Sequence, residues 1–381
     1  MLNIVHLGKY YLPDAGGIES VTLSLSKGAA QAGHKVTVVC FKKNPANNAD
    51  VIDGVRVFRA PIRRFISSQP ISLKYVMLCL REARHADVVH LHAPNMLAAV
   101  CGLFIGRKKQ LLVHWHSDVI GKGFLSRILK PLEISLLKRA NRIVATSQIY
   151  ADASATLRPF QSKISVVPIG VPEPNKTVEN GLNTESFLTN LASTINGKKI
   201  ILAVGRLVSY KGLNVLIEAA RHLDDGAVIV IVGDGPQRES LMRVICAADV
   251  SDRVLLVGRL SDEALHALFS CSTLYCLPSI TRAEAFGVVL LEAMAYGLPI
   301  VATNIPGSGV PWVNQHGLSG INVPVSDPLA LANACNHILN SPGVRARLST
   351  GARQRYLCEF KEGVSVSRML TIYNSMTGVI P

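Results

Sequence analysis

"KKIILAVGRLVSYKGLN", residues Lys198–Asn214, is an apolar run that stops at a glycine, meets a cation and restarts after a second glycine. The run is continuous rather than alternating, which suits a strand covered on both faces of a parallel sheet. The same grammar opens the chain. "LNIVHLG" (Leu2–Gly8) leads through Gly16-Gly17 into the helix-like "IESVTLSLSKGAAQAG" (Ile18–Gly33) and then into "KVTVVCF" (Lys35–Phe41). "ADVVHLHA", "LLVHWHSD" and "RIVATS" continue the first series, and "AVIVIVGDGP", "RVLLVGRL", "STLYCLPS" and "PIVATN" continue the second. Strands alternating with helices in this way predict two doubly wound, Rossmann-like α/β domains. The expected boundaries are 1–171 and 172–360, with a C-terminal helix over about 361–381 packing back on the first domain. Pro172–Gly197, rich in Pro, Asn, Thr and Gly, reads as a linker or peripheral excursion.

Length agrees with this division, since 381 residues exceed one ordinary core and 49% hydrophobic content supplies two. No apolar run reaches the roughly 18 residues of a spanning helix. The N-terminal "MLNIVHLGKYYLP" lacks the basic start and small-residue cleavage site of a signal peptide. The 8 cysteines are scattered without a C-x-x-C, so buried free thiols in a reducing cytoplasm are expected. Charge is strongly partitioned. Residues 1–171 hold 23 Lys and Arg against 9 Asp and Glu, whereas 172–381 hold 17 against 17. The whole net charge of +14 therefore lies in the first half and calls for an anionic partner there.

Open α/β sheets bind ligands at the C-terminal ends of their strands, and the glycine-bearing turns fall at those ends. Gly16-Gly17 opens a helix whose free N–H groups favour an anion such as phosphate, although a flexible turn alone explains the pair equally well. Arg206 and Lys211 flank a strand-to-helix turn, where two cations are unfavourable for the helix dipole and so point to an external anion. His90, His92, His114 and His116 form two H-x-H pairs at strand ends, each pair on one strand face. No accompanying Cys or third-ligand motif argues for zinc; core histidines explain most of the four, and His116 is placed in the cleft. No D-x-D sequence supplies the carboxylates that hold a divalent ion on a diphosphate, so no metal is expected and Arg and Lys must neutralise the leaving group.

"TRAEAFGVVLLEAMAYGLPIVAT" (Thr281–Thr303), with Glu284 and Glu292 eight apart, resembles the signature of retaining, nucleotide-sugar-dependent glycosyltransferases of family 4. The likeness runs on through "GGIE", "HSD", "VGRLVSYKG", "VGDGP", "VGRL" and "GVPWVNQHGLSGINVPVSDPLALA", and so covers nearly the whole chain. It implies the GT-B fold, two Rossmann-like domains facing across a cleft. It also implies site roles. Glu292 accepts hydrogen bonds from ribose hydroxyls, Glu284 meets the donor sugar, and backbone N–H groups of Phe286, Gly287, Val288 and Val289 face sugar and phosphate. Arg206 and Lys211 hold the diphosphate, Gly17 completes the phosphate cradle, and the backbone near Gly258, Arg259 and Leu260 reads the base. The implied mechanism is front-face retention without a metal or cofactor, the leaving phosphate assisting deprotonation of the acceptor. "PSITRAEAFG" and "HWHSD" look most like bacterial GDP-mannose-dependent mannosyltransferases of lipopolysaccharide O-antigen and exopolysaccharide assembly, with another sugar nucleotide such as a UDP-sugar as the alternative donor.

The basic half then suits a lipid-linked, polyprenyl-diphosphate acceptor and the anionic inner face of the cytoplasmic membrane, reached peripherally, with other polysaccharide-assembly enzymes as further candidate partners. Residues 121–142 carry six Lys and Arg against Glu133, with Leu125, Ile128, Leu129, Leu132 and Leu136 at helical spacing, and residues 62–84 add Arg63, Arg64, Lys74, Arg81 and Arg84. Ordinary helices packing on the sheet explain the apolar stripes as well. Nucleic acid is disfavoured for want of any aromatic-studded basic strand. A nucleotide-sugar epimerase would not need a basic acceptor half, and a nonenzymatic sugar-nucleotide-binding membrane scaffold would leave Glu284, Arg206 and Lys211 idle.

Overall fold

Continuous apolar runs become the strands of two parallel sheets. The computed structural model describes residues 1–14, 16–42, 51–66, 69–119, 123–174 and 182–378, with backbone alone for 123–128, 182, 183 and 187. The chain divides into two compact units, residues 1–170 with 362–381 and residues 171–361.

Unit 1 begins with β1 (Asn3–Leu7), α1 (Gly17–Gln31), β2 (Lys35–Lys42), β3 (Val51–Ile52), β4 (Val55–Pro61), β5 (Arg64–Ile66) and β6 (Gln69–Ile71). It continues through α2 (Leu73–Ala83), β7 (Val88–Ala93), α3 (Met96–Phe104), β8 (Gln110–Trp115), α4 (Gly123–Arg139), β9 (Arg142–Ala145), α5 (Gln148–Ala153) and β10 (Ile164–Val166). Its main sheet has the order β10-β9-β8-β7-β1-β2-β4-β3, parallel except for the short edge strand β3. β5 and β6 form a separate antiparallel hairpin. Serine and asparagine set the helix starts: Ser72 accepts from the Tyr75 amide, Asn95 from Ala98 and Ser147 from Tyr150.

Unit 2 contains α6 (Leu182–Ile195), β11 (Lys199–Val204), α7 (Leu213–Ala219), β12 (Ala227–Val232), α8 (Arg238–Ala247), β13 (Val254–Gly258), α9 (Asp262–Cys271) and β14 (Leu274–Leu277). It ends with α10 (Val288–Ala295), β15 (Ile300–Thr303), α11 (Val310–Val313), β16 (Gly320–Val323), α12 (Pro328–Asn340) and α13 (Pro342–Arg355). The sheet is wholly parallel, in the order β13-β12-β11-β14-β15-β16. Every residue of β12, "AVIVIV", is buried, as a strand covered on both faces requires. The last helix, α14 (Glu362–Thr377), belongs to unit 1, where Val366 packs on Gly28 of α1.

Two expectations change. Within the segment read as a linker, residues 182–195 form α6, which buries Thr184 and Leu191. Its Asn- and Thr-rich composition conceals a helix that tertiary packing stabilises. Of the cysteines, all free, Cys246, Cys271 and Cys358 are exposed rather than buried.

Candidate functional site

In unit 2, Arg206, Lys211, Glu284, Phe286 and Gly287 lie on two loops at the C-terminal ends of β11 and β14. The first, after β11, carries Arg206 and Lys211 and ends at Gly212, which has φ 61° and begins α7. A side chain at Gly212 would collide with the Pro278 carbonyl of the second loop, so only glycine permits this approach. The Ile280 amide donates to the Tyr210 carbonyl at 2.8 Å, joining the two loops. The second loop ends at Gly287, φ 79°, which caps α10. No side chain caps α10, so its leading N–H groups, on Val288 and Val289, remain open to an anion. Thr303 Oγ1 donates to the Ser279 carbonyl, Ser308 Oγ to the Glu284 carbonyl, and Arg282 Nε to the Gly307 carbonyl. The loop is thus fixed before any ligand arrives.

The central finding is a buried ion pair. Lys211 Nζ lies 2.6 Å from Glu284 Oε2, and both side chains are only 10% exposed. Ser279 Oγ donates to the same carboxylate oxygen at 2.9 Å. Sequence assigned Lys211 to phosphate and Glu284 to sugar as separate tasks; the structure couples them, and Ser279, which sequence missed, orients the carboxylate. "PSITRAEAFG" contained that serine, but nothing in a one-dimensional pattern aims it at Glu284. Arg206 is exposed.

Glu292 sits one turn into α10, partly buried. Burial pushes its carboxyl up to about 7, the neighbouring Asp262 charge adds to the rise, and Lys211 opposes it. Gly258, Arg259 and Leu260 lie where β13 runs toward α9; the Gly258 carbonyl accepts from Gly233, and the Arg238 guanidinium comes within 3.6 Å of where a Gly258 side chain would start. Arg238 is a further cation that sequence did not single out. The Phe286 ring is buried, tilted against Trp312 and edge-on to Phe360, which anchors the backbone whose N–H was assigned to the ligand.

Gly16, Gly17 and His116 lie in unit 1. Gly16 precedes α1 without a side-chain cap, and the Glu19 carboxylate folds back over it, so a side chain at position 16 would have to displace that carboxylate. Gly17 has open space beside it. His116, assigned to the cleft, lies just beyond β8 at 6% exposure and is bonded through Nε2 to His92 Nδ1 at 3.0 Å. Burial pushes its imidazole down to about 3. Asp118 of the same motif is structural: Trp115 Nε1 and Ser154 Oγ donate to it at 3.0 and 2.7 Å. His92, His114 and His116 lie close enough to share an ion, as do His6, His90 and His92. The rings of the first trio lie within 12–29° of parallel, and His92 Nδ1 and His116 Nε2 face one another at 3.0 Å, joined by a hydrogen bond. Beside them, Trp115, Leu132 and Glu133 help line a small apolar pocket of about 30 Å³.

Two Rossmann-like units, with an uncapped helix start and clustered cations at the strand ends of the second, define a GT-B glycosyltransferase. The model of "Glycosyltransferase Family 4" matches residues 15–173 and that of "Glycosyl transferases group 1" matches 192–355. The chain belongs to this glycosyltransferase family. It is 31% identical over 356 residues to the D-rhamnosyltransferase WbpZ of Pseudomonas aeruginosa, covering 93% of this chain and 91% of that one. It is 28% identical over 376 residues to the O-antigen chain mannosyltransferase C of Escherichia coli, covering 98% and 99%. In fold it is similar to HepE of Anabaena, solved with UDP and glucose: TM-score 0.79, 20% identity, 98% of this chain and all of that one.

Proposed function

We propose that the chain is a retaining, metal-independent α-mannosyltransferase that moves mannose from GDP-mannose to a polyprenyl-diphosphate-linked oligosaccharide in O-antigen or related surface-polysaccharide synthesis. The observation that carries the donor half of this reading is the buried Lys211–Glu284 pair beside the uncapped start of α10. A nucleoside diphosphate leaves with growing negative charge, and oriented N–H groups with Arg206 and Lys211 stabilise charge there without reorganising. Glu284, held by Ser279, accepts from a sugar hydroxyl. In a front-face transfer the bond from the anomeric carbon to the phosphate oxygen breaks, the acceptor oxygen bonds on the same face, and its proton passes to the departing phosphate. Glu292 receives the ribose hydroxyls, while the backbone at Gly258, Arg259 and Leu260 faces the base. The mannosyl and rhamnosyl activities in the names of the two relatives support a hexose donor and a surface-glycan product.

The test is a donor panel in EDTA, with and without a lipid-diphosphate acceptor, the product's anomeric configuration being read by NMR. The reading expects transfer from GDP-mannose only when acceptor is present, with an α product. Transfer from a UDP-sugar alone reassigns the donor. A changed sugar without acceptor makes the chain an epimerase, and activity restored only by magnesium or manganese overturns the metal-free mechanism.

A further inference from the structure

Five imidazoles and one phenol form a single chain of contacts inside unit 1. His114 Nδ1 faces His90 Nε2 at 3.3 Å, and His90 Nδ1 faces the Tyr373 hydroxyl at 2.6 Å. Tyr373, brought by α14, faces His6 Nε2 at 3.4 Å. His6 Nδ1 then faces His92 Nε2 at 3.0 Å, and His92 Nδ1 faces His116 Nε2 at 3.0 Å. The register of β1, β7 and β8 explains the line: His6 pairs with His90 and His92 with His114, so all five rings share one face. Tyr373 is fully buried, and His116 is the most exposed of the five histidines.

The ends decide the protons. Among the described residues, His114 Nε2 is a buried atom without a partner. Neutral imidazole has one N–H and one lone pair, and the phenol has one O–H. Desolvation pushes all five imidazoles down, so they are neutral. If protons are donated from His116 toward His114, the last N–H is buried with no acceptor. If both neighbours donate to Tyr373, its own O–H is stranded. Donation from His114 toward His116 satisfies every link and leaves only a lone pair unmatched, the arrangement that buried groups tolerate best.

We infer that this chain locks His116 as the Nδ1–H tautomer, so that it presents a hydrogen-bond donor at the end of β8, with Tyr373 of α14 as the positioning residue. His116 thereby serves a substrate oxygen, a sugar or acceptor hydroxyl, as a neutral donor rather than as a general base. The role in transfer rests on the function proposed above; the tautomer does not.

The experiment is long-range ¹H–¹⁵N NMR on the full chain labelled with ¹⁵N-histidine, His116 being assigned by its loss in His116→Asn. The expected signal has protonated Nδ1 and bare Nε2; protonated Nε2 overturns the inference. Tyr373→Phe keeps the ring but divides the chain into His114–His90 and His6–His92–His116, freeing the second segment to reverse. His116 should then show both tautomers while far-ultraviolet circular dichroism stays unchanged. A pure Nδ1–H signal in that variant removes Tyr373 from the lock. In the transferase assay, His116→Asn supplies an amide donor near the Nδ1 position but no base. It should lose kcat by less than tenfold and His116→Ala by more than a hundredfold; equal losses overturn the donor role. Parent NMR as expected with no transfer from any donor would leave the tautomer standing and sink only the function.

Discussion

Because Lys211 and Glu284 are paired and buried, Glu284→Ala tests two things at once. It removes a sugar contact and also strands a buried ammonium, a change that destabilises proteins by about 3–5 kcal/mol. Glu284→Gln is the cleaner probe, since its amide oxygen still accepts from Ser279. We expect kcat/KM to fall by roughly 10²–10³-fold with little loss of donor affinity, as for a contact strengthened in the transition state. Parent-like turnover in a folded Gln variant would reduce Glu284 to a partner for Lys211. Glu292 makes a second prediction. Its carboxyl stands at about 7 instead of 4.5, so the folded protein binds the proton more tightly than the unfolded chain. Its stabilising share is therefore complete below pH 4.5 and lost as pH rises through 7. Glu292→Gln should stabilise the protein at pH 8, by about 1–3 kcal/mol, and leave pH 4.5 stability nearly unchanged. On the ribose-binding role proposed for Glu292, an ionised carboxylate is the better acceptor, so nucleotide affinity should weaken by up to roughly tenfold per unit below pH 7 in the parent and stay flat in the variant. Titration calorimetry at pH 6 and 8 reads both, and equal pH slopes would remove Glu292 from the nucleotide site.

At the level of elements, β1, β7, β8 and the turn just past β8 place five neutral histidines where ordinary packing would place apolar residues. Their pKa values are depressed from 6.5, to about 3 for His6 and His116, so the unfolded state binds more protons below pH 6.5. Stability is present above 6.5 and lost as pH falls toward the folded values. Each such group contributes a slope of about 1.4 kcal/mol per pH unit, so five together exceed a typical domain's reserve within about two units. Calorimetry between pH 7.5 and 5.5 should show a steep fall in the transition of unit 1; a flat transition temperature would mean that the cluster is charged in place. The sequence exposed the two H-x-H pairs and their common strand faces, because period two is local information. It hid His6 and Tyr373, since His90 and Tyr373 are 283 positions apart and no pattern in either segment announces the other. The same limit applies at the donor loops. The glycines, Arg206, Lys211, Glu284 and Glu292 were legible at strand ends, but the ion pair and the Ser279 bond arise from two loops meeting. Gly212→Ala should therefore act on both loops, forcing them off the Pro278 carbonyl. The expected loss is at least tenfold in kcat/KM, with a smaller effect on secondary structure by circular dichroism.

For the whole molecule, continuous apolar strands made both doubly wound units readable, whereas short edge elements and α6 lack that signature. Charge partition was legible too, and the described side chains show which part of each basic segment is exposed. Of the stripe at 121–142, Lys122 lies outside the described residues, as does the side chain of Arg127. Leu136 is buried, and Arg139 donates to the carbonyls of Ile105, Gly106 and Lys109, so much of that helix is structural. Lys130 and Lys138 remain exposed. The β5–β6 hairpin and the start of α2 offer more: Phe65, Ile66, Leu73 and Met77 are 58, 44, 65 and 54% exposed, interleaved with exposed Arg63, Arg64 and Lys74. No helix among the described residues is long and apolar enough to cross a membrane. Apolar side chains among cations suit insertion at the headgroup level of an anionic surface, each cation adding about 1 kcal/mol. We expect cosedimentation with anionic but not neutral vesicles, weakening as salt screens the attraction. Arg63, Arg64 and Lys74 changed to Gln should abolish most of the binding, Phe65→Ser with Leu73→Ser should weaken it at low salt, and Lys130 and Lys138 changed to Gln should matter less. Nucleotide affinity should be unchanged throughout. If the hairpin variants bind anionic vesicles like the parent while the Lys130 and Lys138 variant does not, the membrane face belongs to α4 instead.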